Sequence, residues 1–308
     1  MKLNCKEDII QLTPLWKGER FPDGRPKVPD EILQRIKKTT IEEMWAPLVR
    51  LGYNYQHETS LKRSNPNVPT VVGRAVTAHY LPTRPDVANY LLQYGHEEEG
   101  RKGFFNQWPL EDLQKDDFIV IDMFGKVRNG CAWGGNLTTL IYTKTGVGGL
   151  TSGGVRDLDQ IVGIEGSQFY YKGYDPTPFR EAMLVGINVP VKIGEAVCMP
   201  GDVVLGTEAG IIFVPAHLAE ECVIDAEKTH VRDIFGFQRL HEGKYTAAQI
   251  DTAWELCMWE DFAEWFPVAP EAEEYRHLDF TKELEDARNG IIPGRPRPQG
   301  PGGETTRW

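Results

Sequence analysis

The sequence of 308 residues lacks paired cysteines. It has five, Cys5, Cys131, Cys198, Cys222 and Cys257, an odd number with no Cys-x-x-Cys spacing. That argues against a disulfide framework or a zinc knuckle, and free thiols suit a reducing compartment. The seven histidines include no His-Glu-x-x-His pair, so a histidine-held zinc is not expected. There is no long basic run, and the net charge is −11, from 34 basic and 45 acidic residues. Affinity for nucleic acid or an anionic membrane comes from neutralising phosphates, so neither partner is expected. No apolar stretch approaches the roughly eighteen residues of a membrane span. Residues 1–10 carry charges where a secretion signal needs an apolar run. The expectation is a cytoplasmic protein of ordinary globular composition.

What the chain does have is two glycine-rich turns about twenty residues apart. The first is Trp133-Gly134-Gly135-Asn136-Leu137. The second runs from Gly148 through Gly153-Gly154-Val155 to the pair Arg156-Asp157. An arginine fork fits a carboxylate or enolate edge, and in an acidic chain it is the local positive spot an anionic substrate needs. An aspartate offers the hard oxygens that suit magnesium or manganese. On an extended segment residues 156 and 157 point to opposite sides, whereas on a tight turn both reach one site. An adjacent Arg-Asp pair is also a common surface ion pair; the flanking glycines favour a binding turn.

Along the chain, residues 1–30 are polar with scattered Pro and Gly and read as an irregular arm. Residues 29–52 carry helical spacing, with Thr39-Thr40 and Glu42-Glu43 as a start signal. Residues 70–78 and 118–122 read as buried strands, 86–99 and 134–142 as helices, and 146–155 as a glycine-heavy strand and turn. A short helix over 158–164 and strand-like residues 168–171 follow. Short strands are expected over 189–193, 196–198, 203–206 and 211–215, with a tight turn at Pro200-Gly201-Asp202. Residues 216–240 and 246–266 read as helices, the second capped by Thr246 and carrying Trp254, Trp259 and Trp265 as packing residues. Residues 290–303 are Pro/Gly/Arg-rich and read as a linker or extended arm. Three segments result: an arm over 1–30, an α/β core over 31–245, and a helical extension with its tail over 246–308.

Taken in order, several of these pieces resemble one family, the proteins similar to regulator of ribonuclease E activity A, which include the 4-hydroxy-4-methyl-2-oxoglutarate aldolases. The pieces are Thr39 to Tyr53, Val72-Gly73-Arg74-Ala75-Val76-Thr77, Asp117 to Asp122, Gly135-Asn136-Leu137, Gly153-Gly154-Val155-Arg156-Asp157, and Val189-Pro190-Val191 through Pro215. The resemblance covers roughly residues 30–245 and implies a swivelling α/β/β-type core assembled as trimers or hexamers, with sites between subunits.

It also implies roles. Asp157 would hold Mg2+ or Mn2+. Arg156 would hold the 2-oxo oxygen of a small anionic 2-oxo acid and stabilise the pyruvate enolate. The loop Gly135, Asn136, Leu137 and Thr138 would bind the substrate, with backbone amides of the last three on its carboxylate. Asp233 would enter the site from a neighbouring subunit. Asn136 stands where the family commonly has an acid, and Asp233 where it usually has Glu. No lysine stands out as a Schiff-base former, which suits a metal-dependent aldolase or oxaloacetate decarboxylase. Two other functions fit the same residues: a non-enzymatic regulator that binds a protein, and a different reaction on a sugar acid.

Overall fold

The structure is a computed structural model that describes residues 3–68 and 70–291. Its centre is the parallel set Val71–Pro82, Asp117–Asp122, Gly148–Val155 and Gln168–Tyr174. Beside Val71–Pro82 the sheet continues antiparallel through Val203–Gly206, Ile211–Val214 and the short strand His57–Glu58. Lys62–Arg63 closes the opposite edge. Helices Pro85–Glu97 and Gly135–Thr145 link the parallel strands, which is the connection parallel pairing requires. The result is a mixed α/β fold with a curled sheet and a helical C-terminal region, the class expected from the sequence.

Asp117–Asp122 is buried at all six positions, and its side chains alternate between two cores. Ile119 and Ile121 pack with Trp133 and Ile141, while Phe118 and Val120 pack with Leu150, Tyr170 and Phe213. Period-two alternation with both faces apolar explains why this segment reads as a continuous hydrophobic run. A third cluster packs helices Asp30–Ile36, Ile41–Arg50 and Ala219–His241 over Val203, Leu205 and Val214. The fourth is the C-terminal region, where Phe235, Trp254, Trp259, Phe262 and Trp265 form one aromatic core.

Several elements differ from the sequence expectation. Residues 29–52 form two helices, because the chain stops at Lys37 and restarts where Thr40 and Glu43 make a reciprocal capping box. Residues 246–266 also form two, Ala247–Ile250 and Leu256–Trp265. Between them Trp254 folds back to donate its indole N–H to the Ile250 carbonyl at 3.1 Å. Ala182–Ile187, to which the sequence reading assigns nothing, is a strand along the end of Val71–Pro82. The first thirty residues are not an irregular arm. They contain the helix Lys6–Leu12 and send Arg25, 1% exposed, into the central sheet. Arg25 forks onto Asp117 at 2.8 and 3.2 Å and also binds Asp23. Burial works against its charge, and these carboxylates outweigh it, so its pKa lies above the usual value. Of the Pro/Gly/Arg-rich tail, only Gly290 and Ile291 fall among the described residues. Among those residues no helix is long and apolar enough to cross a membrane.

Candidate functional site

The strand Gly148–Val155 ends at Val155, and the next two residues turn sharply. Asp157 adopts φ 54°, in the left-handed region that aspartate tolerates better than most residues. This turn brings both side chains to one side, with Arg156 Nε 3.5 Å from Asp157 Oδ2. The same Oδ2 accepts the backbone N–H of Gly135 at 3.2 Å, tying the two glycine turns together. The Arg156 amide donates to the Trp133 carbonyl at 3.1 Å, a second tie.

Gly134 and Gly135 are needed for room. A Cβ on Gly134 would lie 2.3 Å from Asp157 Oδ2 and 2.9 Å from the Arg156 Cγ. A Cβ on Gly135 would lie 1.8 Å from the Gln160 side-chain oxygen. A side chain at either position would push the Asp157, Arg156 or Gln160 side chain from its place in this arrangement.

Gly135–Thr145 is a helix with Gly134 as its N-cap. The Gly135 amide is taken by Asp157, and the Thr138 amide donates to the Gly134 carbonyl at 3.1 Å. Among the described residues the Asn136 and Leu137 amides have no acceptor, as expected in a first helical turn. Of the three amides the resemblance suggested, that of Thr138 is therefore committed within the helix. Thr138 is fully buried, and its hydroxyl bonds the Gly134 and Gly135 carbonyls.

An open cavity of about 500 Å³ faces these groups. Arg156, Asp157, Gly134, Asn136, Leu137 and Gln160 are among its lining. The rest is mostly aromatic, from Phe104, Trp133 and Phe179, with Pro178, Asn106 and Cys131. Gln160 was within reach of the sequence reading, since it lies one helical turn past Asp157. Phe104 and Phe179 carried no local signal, because distant loops bring them to the cavity. Asp122 is drawn elsewhere, bonded to His79 at 3.1 Å. Burial opposes its charge, but the His79 contact and the Phe124 amide hold its carboxyl below the usual range. Asp233 is exposed on helix Ala219–His241 and does not line this chain's cavity.

A hard divalent cation fits this donor set. Asp157 is the one carboxylate lining the cavity, and no histidine lines it. Burial, helped by Asp175, pushes the Cys131 thiol up to about 11, so it offers no thiolate at neutral pH. Among the described residues no group of three His, Cys, Asp or Glu side chains is placed to cage a metal. One carboxylate in an open, wet cavity suits magnesium, which keeps most of its waters, and does not suit zinc.

The sequence comparison decides what this arrangement belongs to. The RraA-like family, described as Aldolase/RraA, matches residues 39–213.

The chain belongs to the RraA-like family.

The matched RraA-like span contains the whole cavity lining and ends before Asp233. An uncharacterized protein of Methanocaldococcus jannaschii is 27% identical over 149 residues, which cover 47% of this chain and 71% of that relative. Among solved structures, an uncharacterized protein from Pseudomonas syringae pv. tomato superposes with a TM-score of 0.59 at 21% identity, over 76% of this chain and 96% of that one. Streptomyces coelicolor RraAS2, described as an unusual member of the RNase ES inhibitor RraA protein family, superposes with a TM-score of 0.58 at 24% identity. That match covers 69% of this chain and all of the other. At these identities the structural matches show the RraA-like fold.

Proposed function

We propose that the chain is a divalent-metal-dependent lyase that cleaves a carbon–carbon bond of a 2-oxo acid and releases pyruvate. The observation that carries this reading is the shared position of Arg156 and Asp157 beside the open Asn136 and Leu137 amides. Together they supply a fork of donors, a hard anionic ligand and a carboxylate-binding helix start within one cavity.

In the reaction, the Asn136 and Leu137 amides hold the substrate carboxylate, and the positive end of the helix favours that charge. The Arg156 guanidinium donates to the 2-oxo oxygen, where negative charge develops. Asp157 would hold magnesium or manganese, which supplies further positive charge to that oxygen when bound. The Gly135 amide fixes the Asp157 carboxylate in place. For a 4-hydroxy-2-oxo acid, the hydroxyl proton passes to a carboxylate or to water, and C4–O becomes a carbonyl. The C3–C4 pair enters the C2–C3 enolate, which takes a proton at C3 to give pyruvate. Oxaloacetate loses carbon dioxide through the same enolate and needs no such base. We also propose a trimer or hexamer in which Asp233 enters the neighbouring subunit's site, as its exposed position allows.

The test is pyruvate release from oxaloacetate and from 4-hydroxy-4-methyl-2-oxoglutarate, with magnesium, manganese or chelator, for the wild type and Asp157→Ala. Metal-dependent pyruvate that vanishes in the variant supports the reading. A folded wild type that releases pyruvate neither from oxaloacetate nor from any 4-hydroxy-2-oxo acid, with either metal, refutes it.

A further inference from the structure

The cavity lining carries two kinds of group, polar and aromatic, and the aromatic ones have no role in the reaction just described. Its cationic lining is a single residue, Arg156, which together with the helix start serves the oxo-acid end. Beyond it stand Phe104, Trp133, Phe179 and Pro178, with Asn106 as the one amide.

This wall is held rigidly from behind. Phe104 meets Phe179 edge-on, with ring centroids 5.9 Å apart at 75°, and Phe179 meets Tyr80 at 5.6 Å and 70°. Tyr80 is fully buried and donates its hydroxyl to the Phe105 carbonyl at 2.9 Å. The Phe104 amide donates to the Gln107 side-chain oxygen at 2.7 Å, fixing the loop that carries the ring. Phe179 arrives on a turn tied by the Asn129 amide to the Thr177 hydroxyl at 2.6 Å. Phe104 lines the cavity and is 38% exposed in this chain. The Trp133 indole N–H is buried and has no acceptor among the described residues.

We infer that the substrate carries an apolar, preferably aromatic, arm at C4, which lies against Phe104 and Phe179 while its oxo-acid end lies at Arg156. The assignment rests on the lyase reading for the oxo-acid end and deepens it by naming the substrate class. An aryl arm gains edge-to-face contact with both rings. A second carboxylate at the same place would meet an aromatic wall, and the one cation in this chain's described lining, Arg156, already serves the oxo-acid end. Diacids are therefore disfavoured, and 4-aryl-4-hydroxy-2-oxobutanoates are the preferred class. Cleavage splits C3–C4, gives pyruvate, and releases the arm as an aryl aldehyde, with no oxidant or reductant consumed.

The experiment compares two matched acids that cannot be cleaved, 2-oxo-4-phenylbutanoate and 2-oxoglutarate, by calorimetric binding to the full chain with magnesium. The aryl acid is expected to bind about tenfold tighter or more. Phe104→Ala should shrink that ratio to about threefold or less, and Phe104→Arg should reverse it. Equal binding, tighter binding of 2-oxoglutarate, no binding of either, or a ratio unchanged in Phe104→Ala overturns the inference. Pyruvate release from oxaloacetate by the wild type separates the two readings. If it is metal-dependent while the binding ratio is flat, the lyase stands and the aryl arm falls. If the ratio holds but no 4-hydroxy-2-oxo acid is cleaved, the lyase falls and the arm's place stands.

Discussion

Asp157 and Gly135, 22 residues apart, meet through one hydrogen bond in which the glycine amide donates to the carboxylate at 3.2 Å. The bond joins the turn after one parallel strand to the helix start after another. It fixes the carboxylate beside Arg156 and depends on the absence of a side chain at Gly134.

Gly134→Ala tests that dependence. The Gly134 φ of −132° suits any residue, so the cost is the clash of the new methyl with Asp157 and Arg156. A displacement near 1 Å at a reacting site costs about a hundredfold in rate. Pyruvate release should fall by that order, with a melting temperature within a few degrees of the wild type. A variant with full activity would show that the Asp157 position is not critical.

Arg25→Met should be among the most damaging single changes in the chain. It leaves Asp117, which is fully buried, without its bidentate partner. Breaking one side of such a pair costs about 3–5 kcal/mol. Urea unfolding measures it, and the double variant Arg25→Met with Asp117→Leu should recover a large part. A loss below about 1 kcal/mol would contradict the assigned role of the pair.

The contribution of Asp202 to stability should fall as pH rises across the acid range. This carboxyl is buried in the turn after Pro200, where it accepts the Met199 amide at 2.8 Å. Burial pushes its pKa up to about 7, against about 3.9 in an unfolded chain. Between those values the folded state keeps a proton that the unfolded state has released. Its contribution is therefore full below about pH 4 and is lost as pH rises through about 7. Unfolding free energies of wild type and Asp202→Asn, compared at several pH values, should diverge by a total on the order of 4 kcal/mol over that window. A difference independent of pH would refute the assignment.

Cys131 lines the cavity but should resist alkylation. With its thiol pushed up to about 11, almost no thiolate exists at pH 8. Iodoacetamide followed by mass spectrometry should modify the exposed Cys257 well before Cys131. Rapid labelling of Cys131 would restore a soft ligand to the site and reopen the choice of metal.

Local sequence was a good guide where the signal is short-range. The run Phe118 to Ile121 could only be a buried strand, because both of its faces are apolar. Thr40 with Glu43, and Thr246, each announced a helix start that the structure contains. The Arg156-Asp157 turn was legible from its glycines. What was not legible depended on partners far away in the chain. Polar residues around Arg25 looked like a loose arm because the carboxylate that buries them, Asp117, lies 92 residues on. Phe104 and Phe179 looked like any aromatics until the fold set Phe179 edge-on between Tyr80 and Phe104.

By itself, then, the sequence determined the α/β alternation, the charge balance that argues against polyanionic partners, and the residue types at the candidate site, all of which follow from periodicity and side-chain chemistry. Only the tertiary structure decided that Asp157 turns left-handed to meet Gly135, that one of the helix-start amides is already spent on Gly134, and that aromatic rings from distant loops join the cavity lining. Those outcomes rest on contacts between segments whose distance in the chain leaves no local trace.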